Sequence, residues 1–177
     1  VQDDFLPTIE RILSYPNHLD GIIIETSGLA LPRPLLQALE WPSIKTKVHL
    51  NGVVTLVDGE ALSAGSPVSD LTLIDKQRKD DPSLDHISTI EELFTNQLLS
   101  ADLVLISRYD IISQESFQLV KSELRNKTRL GTQFIGVANG ILDPEIVLGI
   151  LNSNTINSSN NISGFHEHEH EHEHEHE

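Results

Sequence analysis

Four small or polar residues follow directly on three consecutive isoleucines, in the order Glu25, Thr26, Ser27 and Gly28. An apolar run without polar alternation is typical of a strand that is buried on both faces of a parallel sheet. Ligands of open α/β sheets bind beyond the carboxyl ends of the strands. A carboxylate there can hold a metal-bound water, and a glycine lets its N–H approach a phosphate closely. The pattern predicts a site at 25–28, although a strand followed by an ordinary turn explains it equally well.

Two more apolar runs end in polar residues. The run 53–57 is followed by Asp58 and Gly59, and the run after Asp102 leads into Ser107, Arg108, Tyr109 and Asp110. We interpret Asp58 as a strand-end or capping residue.

The last twelve residues are a His-Glu repeat, with imidazoles at His166, His168, His170, His172, His174 and His176. Imidazole suits Zn, Co, Ni and Cu, and the carboxylates raise the local cation concentration. Three interpretations remain open: a natural metal-loading segment, an added affinity tag, or a solvated tail without a role. The isolated His18, His49 and His86 are expected to be surface or turn residues.

Strands and helices alternate along the rest of the chain. We predict strands near 21–25, 53–58, 102–107 and 133–137, with helices before, between and after them. This alternation is typical of βαβ units, and it predicts an α/β fold with a mostly parallel sheet flanked by helices. The domain is expected to span 1–151, with a mobile insertion at 63–85. The Asn- and Ser-rich stretch 152–165 is a predicted linker, and 166–177 is a predicted disordered, metal-binding tail.

Composition narrows the class of partner. The 177 residues carry a net charge of −15; removing the six tail glutamates from 27 acidic residues leaves 21 against 12 Lys and Arg, a net charge of −9. An acidic body argues against binding to nucleic acid or to an anionic membrane. No membrane span or signal peptide is visible, so a cytoplasmic location is expected. The chain has no Cys, so we expect no disulfide and no thiolate metal site within it. It also has no Met, and we therefore expect a processed product, an excised domain or an incomplete sequence.

Three segments in order carry a family resemblance: 22–34 (IIIETSGLALPRP), 50–58 (LNGVVTLVD) and 90–102 (IEELFTNQLLSAD). They resemble the later half of a P-loop GTPase of the metal-handling family that includes the urease and hydrogenase accessory GTPases. Within that family the chain is most similar to the CobW subgroup of cobalamin biosynthesis and its metallochaperone relatives. The resemblance covers nearly all of residues 1–150.

The resemblance implies GTP and Mg²⁺ as cofactors. It implies that Glu25 orders the magnesium-bound water and that the Gly28 N–H senses the terminal phosphate. Asp110 matches the last position of the guanine-reading Asn-Lys-x-Asp motif, with Ser107 in place of the asparagine and Arg108 in place of the lysine. These two departures predict a weaker preference for guanine.

Several family features are absent from the sequence. There is no G-x-x-x-x-G-K-[ST] phosphate loop and no Cys-x-Cys-Cys motif. We expect both before Val1 and a smaller domain beyond the tail, so this part alone should not hydrolyse GTP at a useful rate.

The expected function of the complete protein is that of a GTP-dependent metallochaperone. It would deliver cobalt for cobalamin biosynthesis, with a client such as a cobalt chelatase. The sequence leaves three alternatives: a zinc or nickel chaperone of the same family, a non-catalytic metal-buffering protein with a degenerate GTPase scaffold, and another P-loop ATPase.

Overall fold

The centre of the fold is a parallel sheet of three strands. A computed structural model of the protein describes residues 2–16, 19–68, 70–80 and 89–149. The strands are β1 (Val54–Asp58), β2 (Leu103–Ser107) and β3 (Gln133–Gly136), and they lie in the order β1-β2-β3. The register places Asp58 opposite Ser107 and Ile106 opposite Gly136, so the carboxyl ends of all three strands meet at one edge.

Helices connect and precede these strands. Their bounds are α1 (Gln2–Leu13), α2 (Pro32–Leu39), α3 (Pro42–Lys45), α4 (Gly59–Ser63), α5 (Leu71–Asp80), α6 (Ile90–Ser100), α7 (Gln114–Lys127) and α8 (Pro144–Leu148), and Tyr109–Ile111 form a 3₁₀ turn. In the sequence, α4, α5 and α6 lie between β1 and β2, with α6 leading into β2, and α7 lies between β2 and β3. The α/β class predicted from the alternation is therefore correct.

Local sequence determines where α6 begins. The Thr89 hydroxyl accepts from the N–H of Glu92 at 3.1 Å, and the Glu92 carboxylate accepts from the N–H of Thr89 at 2.8 Å. This reciprocal capping box satisfies two N–H groups that a helix start would leave unpaired. Thr89 is therefore the N-cap residue of α6.

The core lies between the sheet and the two crossover helices. Leu103, Val104 and Ile106 of β2 have no solvent exposure, because β2 is the central strand and is covered on both faces. From the helices, Leu98 of α6 and Leu124 of α7 are buried in the cluster that covers this strand. The continuous apolar run of β2 thus has the burial expected of a central parallel strand.

The predicted strand near 21–25 is wrong. Residues 21–27 pair with no strand in the described part of the chain, and Ile23 is 82% exposed. A strand forms only where a neighbouring chain accepts its N–H and C=O groups, and the isoleucine run has no such neighbour among the described residues. The residue pattern is that of a buried strand, but a strand forms and becomes buried only beside a neighbouring strand.

The expected burial of the run 53–57 needs adjustment. Only one face of β1 is buried: Val57 is 4% exposed and belongs to the core cluster, whereas Leu56, on the opposite face, is 67% exposed. Within the predicted insertion 63–85, Leu71–Asp80 form α5. The tail 166–177, the linker 152–165, His18 and His86 lie outside the described residues.

Candidate functional site

The carboxyl ends of β1 and β2 bring polar residues together. Asp58 and Ser107 are register partners on these adjacent strands. The Ser107 hydroxyl donates to the carbonyl oxygen of Val57 at 2.9 Å, so its one donor is engaged across the strand pair. Ser107 therefore helps to fix the end of the sheet, and its oxygen retains acceptor capacity.

Arg108 lies directly after β2 in the left-handed region, with φ 56° and ψ 33°. This conformation costs a residue with a Cβ roughly 1 kcal/mol or more, so other contacts must hold it. The guanidinium pairs with the carboxylates of Asp58 and Glu60. The two ion pairs direct the arginine towards the start of α4. Glu60 was not singled out from the sequence, because its closeness to Arg108 arises only from the pairing of β1 with β2.

Asp58 is the N-cap of α4. Its Oδ1 accepts from the N–H of Ala61 at 3.1 Å, and its other oxygen pairs with Arg108. This confirms the interpretation of Asp58 as a strand-end and capping residue. Both carboxylate oxygens are engaged within the chain.

Gly59 lets the first turn of α4 lie against the end of β2. A Cβ built on Gly59 would stand 2.5 Å from the carbonyl oxygen of Ser107 and 2.8 Å from Cγ2 of Ile106. Only a residue without a side chain fits this close approach, so Gly59 contributes directly to the shape of the sheet edge.

Asp110 lies in the 3₁₀ turn after β2 and is exposed. The turn is joined to the end of β3, because the N–H of Tyr109 donates to the carbonyl of Val137 at 3.2 Å. Within the described residues Asp110 makes no hydrogen bond or ion pair. Its carboxylate stands on an anchored turn with its acceptor atoms available.

Gly28 lies in an exposed turn, and Glu25 lies in the exposed irregular stretch just before it. The turn closes through the N–H of Ala30, which donates to the carbonyl of Ser27 at 3.0 Å. A Cβ at Gly28 would meet no atom within 4 Å, so the space around its backbone is open. Next to the turn, Leu29 is buried.

A cavity of about 360 Å³ joins this turn to the end of β1. Gly28, Asp58 and Gln97 are among its lining residues, and Ser107, Arg108 and Asp110 are not. The structure thus brings Gly28 near Asp58. Of the predicted residues, Gly28 lines the cavity and Glu25 does not, while Ser107 ends β2 and Arg108 and Asp110 follow it.

Asp70, on the rim of this cavity, has a lowered pKa. Its carboxylate accepts from the hydroxyl of Thr72, which is the main cause, and from the backbone N–H groups of Thr72 and Leu73. These bonds stabilise the charged form at the start of α5. Asp70 is therefore engaged as a helix cap.

The described residues contain no group of three or more His, Asp or Glu side chains arranged to hold a metal ion. His49 is exposed. The six tail histidines proposed as metal ligands are outside the described ranges. In the same ranges no helix combines the length and apolarity needed to cross a membrane.

Comparison with known proteins gives a consistent result. Residues 1–135 match the family model for the CobW/HypB/UreG nucleotide-binding domain. The chain is 43% identical over 150 residues to a protein from Sinorhizobium sp named zinc chaperone CobW, covering 85% of this chain and 42% of that protein. A protein of the same name from Pseudomonas aeruginosa is 38% identical over 150 residues, covering 85% and 40%.

A more distant relative is the zinc-regulated GTPase metalloprotein activator 1 of Schizosaccharomyces pombe, 29% identical over 126 residues, covering 70% of this chain and 25% of that protein. The chain thus spans about two fifths of the length of the two bacterial relatives. No solved structure matches it significantly.

Proposed function

Because the chain belongs to the CobW/HypB/UreG nucleotide-binding family, we propose that it is the nucleotide-binding part of a GTP-dependent metallochaperone. The observation that carries this proposal is the family match over residues 1–135, which spans both the 25–28 turn and the 107–110 segment. The names of the relatives support the metal-handling part, since two are zinc chaperones and one is a GTPase metalloprotein activator.

Some of the side chains at 107–110 suit the binding of a guanine base. Asp110 has an exposed carboxylate on an anchored turn, which suits the N–H groups of a guanine edge. Arg108 has an aliphatic stem beside that turn, but its guanidinium is engaged by Asp58 and Glu60. We assign Asp110 as the main base-reading group, with Ser107 and Arg108 shaping the turn.

On the phosphate side, Glu25 and Gly28 are the candidate residues. The open backbone at Gly28 can approach a phosphate closely, and Glu25 would orient a water bound to Mg²⁺. Bound Mg²⁺ would neutralise phosphate charge. In the full-length protein, hydrolysis would release the turn after Gly28 and so alter the affinity for the metal cargo.

Zinc is the metal that we place first, because the bacterial relatives are named as zinc chaperones. Cobalt delivery for cobalamin biosynthesis, with a cobalt chelatase as client, stays a prediction from the sequence, and nickel is a third candidate. A cytoplasmic location is part of the same proposal. Stimulation of GTP hydrolysis in the full-length protein by Zn²⁺, Co²⁺ or Ni²⁺ ranks the three metals directly.

Asp110→Ala in the full-length protein tests the base-reading assignment. Loss of a charged acceptor of two N–H groups should weaken GTP binding by at least tenfold and remove the preference for GTP over ATP. Glu123→Ala, an exposed carboxylate further along α7, is the matched control and should change neither. Titration with labelled GTP and ATP gives both quantities.

Two results would contradict the proposal. If the unchanged full-length protein binds no GTP, the nucleotide-dependent function is wrong. If it binds GTP and Asp110→Ala behaves like Glu123→Ala, the assignment of Asp110 fails while GTP binding stands.

A further inference from the structure

Residues 25–31, the 25–31 turn, contain two backbone carbonyls that accept hydrogen bonds from a side chain of α6. The side-chain amide nitrogen of Gln97 donates to the carbonyl of Gly28 at 2.8 Å and to the carbonyl of Ala30 at 3.1 Å. A glutamine amide has two N–H donors, and both are used on this one turn. Gln97 is 69 residues away from Gly28 in the sequence, so these are tertiary contacts.

Gln97 is well placed to hold the turn because its helix is fixed at several points. The capping box at Thr89 and Glu92 holds the start of α6, and Leu93 and Leu98 are buried. The carbonyl of Gln97 also accepts from the hydroxyl of Thr55 on β1 at 3.3 Å. Gln97 thus connects an exposed turn to a helix that is itself joined to the sheet.

Apolar contacts of two leucines also restrain the turn. Leu29 packs with Ile74 of α5 and Leu93 of α6, and Leu31 packs against the same cluster. Gly28 borders the 360 Å³ cavity and meets no atom near its Cβ position. With open space beside Gly28, the two hydrogen bonds from Gln97 hold the turn together with the apolar contacts of Leu29 and Leu31 among the described residues. Removing the Gln97 donors should therefore loosen the turn.

We propose that Gln97 is a positioning residue that holds the 25–31 turn against α6, in the conformation that receives the nucleotide phosphate. It acts through the carbonyls of Gly28 and Ala30. This inference rests on the proposed function for its catalytic consequence, whereas the restraint on the turn can be measured in the chain by itself. It adds to Glu25 and Gly28 a residue on a separate element.

Hydrogen exchange in the present chain is the first test. Gln97→Met keeps the side-chain length and removes both donors, and the neighbouring Asn96→Leu removes an amide that bonds only within α6. We expect Gln97→Met to speed exchange at the N–H groups of Leu29 and Ala30 by about tenfold, the effect of losing one to two ordinary hydrogen bonds. Asn96→Leu should change them by less than twofold.

Gln97→Glu gives an independent version of the same test. It retains a polar side chain of similar length but removes the amide donors and sets a carboxylate against two carbonyl oxygens. The same acceleration is expected at Leu29 and Ala30, with exchange at Leu98 unchanged. Exchange at Leu29 and Ala30 within twofold of the unchanged chain, in either folded Gln97 variant, would overturn the inference.

Steady-state GTP hydrolysis by the full-length protein tests the catalytic consequence. Gln97→Met should lower kcat by about tenfold and change KM by less than threefold, because the turn and not the base site is loosened. If the unchanged protein hydrolyses GTP and Gln97→Met matches Asn96→Leu, the positioning role is overturned. If the unchanged protein shows no hydrolysis, the proposed function fails. The hydrogen-exchange result still tests, independently, whether Gln97 restrains the turn.

Discussion

Arg108 illustrates how a single residue at the sheet edge is held in an unfavourable conformation by its neighbours. Its positive φ is offset by ion pairs to Asp58 and Glu60, and Asp58 also caps α4. Because exposed ion pairs contribute at most about 1 kcal/mol each, neither pair alone is decisive, and the arrangement depends on both. The guanidinium of Arg108 is thus engaged within the protein.

Gly59 gives a prediction at the same scale. Gly59→Ala should lower the free energy of unfolding by about 1–3 kcal/mol, because its Cβ would overlap the Ser107 carbonyl oxygen, which is backbone and cannot rotate away. Gly28→Ala is the matched control: its Cβ meets nothing, and a change within about 0.5 kcal/mol is expected. Urea unfolding of the two variants measures both values, and equal effects would contradict the close approach at Gly59.

At the scale of elements, α5 depends on a capping carboxylate. Asp70 directly precedes the helix and accepts from the N–H groups of Thr72 and Leu73. Ile74 of this helix packs on Leu29 and Leu93, so the helix joins the 25–31 turn to α6. A helix start that is held by one charged group should respond to pH.

The pKa of Asp70 determines the direction of that response. Since the folded-state pKa lies below the ordinary 3.8, the carboxylate stabilises the folded chain above that value, and this contribution is lost as the pH falls through the lowered pKa. An NMR titration of the Asp70 carboxyl should give a midpoint below 3.8. Thr72→Val removes the hydroxyl donor that is the largest cause and should raise the midpoint towards 3.8. A midpoint at or above 3.8 in the unchanged chain would refute the capping interpretation.

For the whole molecule, we expect metal ions to bind to the tail (166–177) and not to the body (1–151). The described part of the body has no cluster of potential metal ligands, whereas the tail carries six imidazoles among six carboxylates. A strip of donors without fixed geometry should bind several metals and rank them by the general trend for imidazole and carboxylate ligands.

Calorimetric titration with Co²⁺, Zn²⁺ and Ni²⁺ tests this division. Binding by the present chain should disappear in a version that stops at Gly164. A version with the six tail histidines changed to asparagine should retain only weak binding to the glutamates. Tight, selective binding by the version ending at Gly164 would instead indicate a site in the body, and His86, Asp85 and Asp58 would be the first residues to change.

Most strand positions could be predicted from local sequence. The apolar runs predicted β1, β2 and β3 to within a residue or two of their ends, because this signal acts over a few residues. The same local reading failed at 21–25. Its isoleucines have the composition of a buried strand, but strand formation requires hydrogen-bonding neighbours that a local pattern cannot supply.

The sequence by itself determined the α/β class, the order of the elements and the placement of Ser107, Arg108 and Asp110 behind a central strand. Only the tertiary structure decided what those residues contact. The ion pairs of Arg108 with Asp58 and Glu60, and the hydrogen bonds of Gln97 to Gly28 and Ala30, join residues about 50 to 70 positions apart. Such contacts depend on how parallel strands and their crossover helix pack together, and no periodicity in the chain records that packing.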